Sequence, residues 1–302
     1  MRWNDDGGGL GPDIEDRRGE GGGGFGFGGG GMRLGCGGII LLGVLSLVFR
    51  QNFFALLAPS GGAPQARVDS RPVAPPSAQE EKRARFVNFV VNDVQKNWDR
   101  VFPSLGRNYT HATLVLYRNE TRSGCGFAEA QMGPFYCPAD RKVYLDMGFF
   151  DELSERFGAP GDFAQAYVIA HEFGHHVQAL LGIEGRVRRA MEQRPDQQNA
   201  HGERVRPDQQ NALSVRLELQ ADCLAGVWGH GTEERNILEN GDVAKGLAAA
   251  AAVGDDRLQR AAGRRVNPES WTHGSASQRT EWFTRGLREG TVRACDTFKS
   301  GL

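Results

Sequence analysis

The stretch DFAQAYVIAHEFGHHVQALL, residues 162–181, sets Phe163, Tyr167, Ala170, Gly174, Val177 and Leu181 at the spacing of one helix face. Asp162 is placed to cap its start. On this helix His171 and His175 stand four apart, so their imidazoles project from one face, a turn apart, and can reach one tetrahedral zinc ion. Glu172 stands beside them, where a carboxylate can take a proton from water.

A catalytic zinc site needs a third protein ligand and an open position. The metzincin arrangement is excluded, because Gln178 and Leu181 stand where it requires a glycine and a third histidine. A carboxylate from a second helix is the alternative. Leu213, Leu217, Ala221, Leu224 and Trp228 mark such a helix, with Glu218 and Asp222 together on its adjoining face. Glu218 is expected to bind zinc, and Asp222 to accept the second N–H of a ligand histidine and fix its tautomer. Asp222 falls between Ala221 and Cys223 in an apolar run, where an unpaired carboxylate would be costly.

His273 precedes Ser275-Ala-Ser-Gln278, a capping box that opens a last helix, so its ring should project from a fixed loop. It is expected to act in catalysis by donating to the oxyanion that hydrolysis creates, with Arg279 a lesser candidate for that task. His176 points about 100° around the helix from His175 and is assigned to packing or to a supporting hydrogen bond. His111, His230 and the Asp255-Asp256 pair receive no role, since nothing in their spacing suggests one.

Further out, Ser77-Ala-Gln-Glu80 forms a capping box, and Phe86, Val90, Val94, Trp98 and Val101 recur at helical spacing until Pro103 stops the run. Residues 111–117 and 142–146 read as strands flanking the loop that holds Cys125 and Cys137. Helical patterns dominate beyond them, so the body is expected to be α+β, mostly helical with a small β-sheet. The string RPDQQNA at 194–200 recurs at 206–212, as expected of a duplicated surface loop with His201 exposed. Apart from Cys36, the four cysteines fit two disulfides, with Cys125–Cys137 and Cys223–Cys295 the favoured pairs and four buried thiols the alternative. Disulfides would place the body in an oxidising compartment outside the cytoplasm.

The chain has 302 residues and 42 glycines, of which 17 lie within residues 1–38. Residues 1–33 are therefore expected to form a disordered head. Residues 34–49 carry no charge, and with Arg50 and the apolar residues 53–57 they give one stretch, 34–57, long enough for a single transmembrane helix. A cleaved signal peptide is the alternative. Residues 58–78 read as a Pro-rich tether and 79–302 as the catalytic domain. Lys and Arg number 36 against 37 Asp and Glu, so no basic excess points to nucleic acid.

The strings GPFYCPADRKVYLD (133–146), HEFGHHVQ (171–178), ELQADCLAGVW (218–228), GDD (254–256) and THGSASQR (272–279) occur in this order. Together they resemble the bacterial neutral zinc metallopeptidase family of membrane-anchored proteins over residues 79–302. The resemblance implies a zincin-like (gluzincin-like) fold, His171, His175 and Glu218 as Zn2+ ligands, and Glu172 as the catalytic base. The repeat within 195–212 departs from the family pattern but alters no expected ligand. The expected protein is thus a single-pass, membrane-anchored zinc endopeptidase with its catalytic domain on the extracytoplasmic side. Its substrate is a peptide or protein, hydrolysed by zinc-activated water with Glu172 as base. Zincin architecture would seat that substrate as an extra strand on an edge of the sheet containing residues 142–146. The competing expectation is a non-hydrolytic zinc-binding interaction domain of the cell envelope, which would gain nothing from Glu172. A thiol enzyme is disfavoured by the lack of a Cys-x-x-Cys pair.

Overall fold

The computed structural model describes residues 1–5, 7–20, 74–192, 207–263 and 265–299. In chain order the elements are β1 (Ile14–Asp16), α1 (Ala78–Val101), β2 (Thr113–Tyr117), β3 (Glu120–Ser123), β4 (Gly126–Glu129), β5 (Phe135–Cys137) and β6 (Lys142–Asp146). They continue with α2 (Phe149–Glu155), α3 (Asp162–Leu180), α4 (Ile183–Glu192), α5 (Pro207–Glu234), α6 (Asp242–Ala252), α7 (Asp255–Ala261) and α8 (Ala276–Glu289). The result is α+β and mostly helical.

One sheet has the order β1-β2-β6-β5, with β1, β2 and β6 parallel and β5 antiparallel to β6. Side chains alternate across it as the pleat requires. Leu114, Leu116, Val143 and Leu145 face the helices, while Val115, Tyr117 and Tyr144 form a smaller cluster with Cys137 on the other side. The disulfide Cys125–Cys137 ties that side to the β3–β4 hairpin, and Cys223–Cys295 ties α5 to the segment after α8.

Glycines set how closely the helices approach. A Cβ at Gly174 would lie 2.9 Å from the Ala221 carbonyl oxygen, so α3 and α5 cross almost backbone to backbone where the two histidines meet the two acids. Gly286 of α8 is tighter still, since a Cβ there would lie 1.9 Å from the Cys223 carbonyl oxygen. This contact brings α8 and the loop before it over the same region.

Several expectations need correction. Asp162 does not cap α3: Gly161 takes that place, and Asp162 enters the first turn, where its carboxylate accepts a 3.1 Å hydrogen bond from the Trp3 indole. The second copy of the repeat is no loop either, because α5 begins at Pro207, a residue suited to the first turn of a helix. The first copy and His201 lie outside the described residues. The largest correction concerns the disordered head expected at residues 1–33. Residues 1–20 hold only Gly7, Gly8, Gly9, Gly11 and Gly19, and they carry Met1, Trp3, Leu10 and Ile14, which pack against the main core. The glycine-rich run that prompted the expectation begins at Gly21, outside the described residues. The expected transmembrane stretch at 34–57 and most of the tether after it also lie outside them. Among the described residues no helix is long and apolar enough to cross a membrane.

Candidate metal centre

Where α3 crosses α5, His171, His175 and Glu218 each offer one ligand atom, and these atoms all lie within 4.8 Å of one another. His171 Nε2 is 3.3 Å from Glu218 Oε2, and His175 Nε2 is 3.5 Å from Glu218 Oε1. The opposite ring nitrogens are held by acceptors: His171 Nδ1 is 2.9 Å from Asp222 Oδ1, and His175 Nδ1 is 2.9 Å from Gln178 Oε1. Each Nδ1 therefore carries a proton, and each Nε2 is turned toward Glu218 as a metal would require. Two imidazole nitrogens and one carboxylate oxygen form the donor set of a catalytic zinc site, so these residues fit the ion.

The electrostatics favour a cation. Burial works against charge on His171, but Asp222 and Glu218 outweigh it and raise the ring to about 10. Burial would likewise push Glu218 up, yet His175, His171 and His273 hold it well below the ordinary carboxylate range. Negative charge at this crossing is thus neutralised by protons, which a divalent ion would displace.

Supporting partners lie behind these groups. Asp222 is fully buried; besides His171 it accepts from the Tyr167 hydroxyl and from Arg279, whose Nε and Nη2 lie 2.8 and 2.9 Å from its two oxygens. Arg279 is thereby turned to Asp222, and its Nη1 is 3.3 Å from the Val253 carbonyl, so it is poorly placed for the oxyanion task. Gln178 donates to the Leu217 carbonyl at 2.7 Å, which fixes its amide so that the oxygen faces His175. Gln178 was legible in principle, since an amide three residues after His175 shares its helix face.

Glu172 is buried at 8% exposure, and burial raises its carboxyl above the ordinary value. The His171 and His175 charges and the Tyr136 backbone pull the other way. His176 is taken up by structure, with its Nδ1 3.1 Å from the Tyr136 hydroxyl and its Nε2 2.7 Å from the Thr110 carbonyl. His273 sits in the loop before α8, near enough to Glu218 that each shifts the other's titration. Asp255, which carried no role in the sequence, holds that loop. Its Oδ2 accepts the backbone N–H groups of Thr272, His273 and Gly274 at 2.8, 2.7 and 3.0 Å, and its Oδ1 is 3.2 Å from His273 Nδ1. No spacing rule could have joined residues so far apart in sequence. His111 lies between Asp13 and Asp99, and His230 meets the Leu287 carbonyl, so their bonds go to groups outside this centre.

Comparison with known proteins agrees with this geometry. The family described as "Putative neutral zinc metallopeptidase" matches residues 1–298, and the chain belongs to that family. It is 46% identical to "Uncharacterized protein YpfJ" of Escherichia coli K12, over the whole of both chains. It is 43% identical to "Uncharacterized protein Rv2575" of Mycobacterium tuberculosis H37Rv, over 72% of each. No solved structure matches the chain.

Proposed function

We propose that this member of the neutral zinc metallopeptidase family is a gluzincin-like, zinc-dependent endopeptidase, held at a membrane and working in an oxidising compartment outside the cytoplasm. The observation that carries the reading is the convergence of His171, His175 and Glu218 within 4.8 Å, with Glu172 next to His171 on the same helix. Bound there, zinc would supply Lewis-acid polarisation of water and of a peptide carbonyl. Glu172 takes the proton from the attacking water and returns it to the leaving amine. His273, its Nδ1 tied to Asp255, presents the other ring nitrogen to the carbonyl oxygen as that oxygen gains charge. Asp222 and Gln178 keep the two ligand imidazoles in the tautomer that leaves Nε2 free. A peptide substrate would add to the outer edge of β5, which pairs with no further strand among the described residues and whose Tyr136 backbone reaches Glu172. The two disulfides support the extracytoplasmic placement.

The test is cleavage of a diverse peptide library by the zinc-loaded full chain, with Glu172→Gln beside it. Loss of a general base is expected to lower kcat by about 10²–10⁴-fold while zinc content stays at one ion per chain. If both proteins hold zinc and cut equally, or neither cuts, Glu172 has no catalytic part and the envelope interaction domain becomes the better reading.

A further inference from the structure

The N-terminal strand is built into the catalytic body. β1 pairs in parallel with β2 from Ile14 opposite Leu114 to Asp16 opposite Leu116. The register is extended by the Leu114 N–H to the Asp13 carbonyl and by the Arg17 N–H to the Leu116 carbonyl, both 2.8 Å. Arg18, at 2% exposure, bonds Asp16 at 2.7 Å and reaches Glu81 in the first turn of α1 at 3.2 Å. Next to it in sequence, Glu80 is held by Arg118, and the same guanidinium donates to the Ala74 carbonyl at 2.7 Å. Arg18 and Ala74 flank the apolar residues 34–57; Arg18 is fastened at Glu81 and the Ala74 carbonyl at the Arg118 that holds Glu80, both at one end of α1.

This juxtaposition constrains the path between them. A chain that crosses a bilayer once delivers its two flanks to opposite faces, yet here the flanks share one sheet. Two crossings would need about 40 apolar residues at about 20 each, and positions 34–57 supply little more than half of that. We infer that residues 1–20 and the catalytic body occupy the same compartment, so that the chain leaving Arg18 and the chain arriving at Ala74 lie on the same side of any membrane. A single-pass anchor at residues 34–57, as expected from hydropathy, would instead put residues 1–20 and the catalytic body on opposite faces. The inference is independent of the peptidase reading.

The test uses the full chain in closed, right-side-out membrane vesicles, with Cys36→Ser removing the one cysteine outside the two disulfides. Gly19→Cys and Ser104→Cys are made separately, both at exposed positions, and Gly19 has open space around its missing Cβ. A membrane-impermeant maleimide should label both to the same extent, with the same change on adding detergent. If one is labelled and the other stays protected until detergent opens the vesicles, the inference is overturned. A second readout pairs Gly11→Cys with Asn88→Cys, since a Cβ at Gly11 would lie 2.9 Å from Asn88 Oδ1. An oxidant should cross-link this pair in the membrane-held protein. No cross-link would mean that the strand is not docked there, which also overturns the inference.

Discussion

Asp255 shows how one side chain can position another. Its carboxylate gathers three successive backbone N–H groups, which fix the loop, while its other oxygen and the Thr272 hydroxyl meet the His273 ring at Nδ1 and fix the imidazole on that loop. Burial opposes the charge on Asp255, but His273 and these N–H groups hold its carboxyl below the ordinary value. On the proposed role of His273 as an oxyanion donor, replacing it with Ala should lower kcat by about 10²-fold or more. Asp255→Asn should lower kcat by about 10-fold, with little change in KM or zinc content. Steady-state kinetics of the double variant provides the check: Asp255→Asn should cost nothing further once His273 is Ala. An added loss would assign Asp255 to loop stability alone. The HExxH pair and the two acids of α5 could be located from spacing because they repeat at helical intervals. Asp255 could not be, since its partners lie 17 to 19 residues away across a turn.

At the scale of elements, the centre depends on how α3, α5 and α8 touch. Gly174 lets α3 meet α5, and Gly226 and Gly286 let α8 lie on α5, where an added Cβ would come within 2.2 Å and 1.9 Å of opposing carbonyl oxygens. Opposing backbone has no rotamer with which to yield. Gly286→Ala should therefore destabilise the fold by about 2–3 kcal/mol, and lower the melting temperature by about 5–10 °C, measured by calorimetry. It should also reduce activity at temperatures where the fold is intact, because α8 carries Arg279 and is preceded by His273. No change in either would show that the two helices can separate at no cost. Periodicity reveals α1, α3, α5 and the capped start of α8, since each buries a regular apolar face or carries a local hydrogen-bond signal. It does not reveal β1, β3 or β4, whose sequences IED, ETRS and GFAE have no apolar alternation to read.

For the whole molecule, the docked N-terminal segment covers the β2 edge of the sheet, while among the described residues no strand pairs with the outer edge of β5. Part of its attachment should respond to pH. His111 Nδ1 is 2.8 Å from Asp13, before β1, and its Nε2 is 3.1 Å from Asp99 of α1. Partial burial disfavours a charged ring, but the two carboxylates outweigh it and raise His111 above 6.5. A raised histidine stabilises the fold in full below its unfolded value of about 6.5, and that contribution is lost as pH rises through the folded value. The melting-temperature gap between wild type and His111→Asn should accordingly be largest in mildly acidic buffer and close as the solution becomes alkaline. A gap independent of pH would remove His111 from the attachment.

The sequence by itself determined what is local and periodic: the helix that carries His171, Glu172 and His175, the second helix with Glu218 and Asp222, and the cap after His273. Spacing along one helix fixes which side chains share a face, whatever the rest of the chain does. Tertiary structure alone decided that Asp255 would hold His273, that Arg279 would be committed to Asp222, and that the residues ahead of the glycine-rich run would supply a strand to the sheet. Those outcomes depend on contacts between distant residues, whose stabilisation comes from burial and pairing that no neighbouring residue signals.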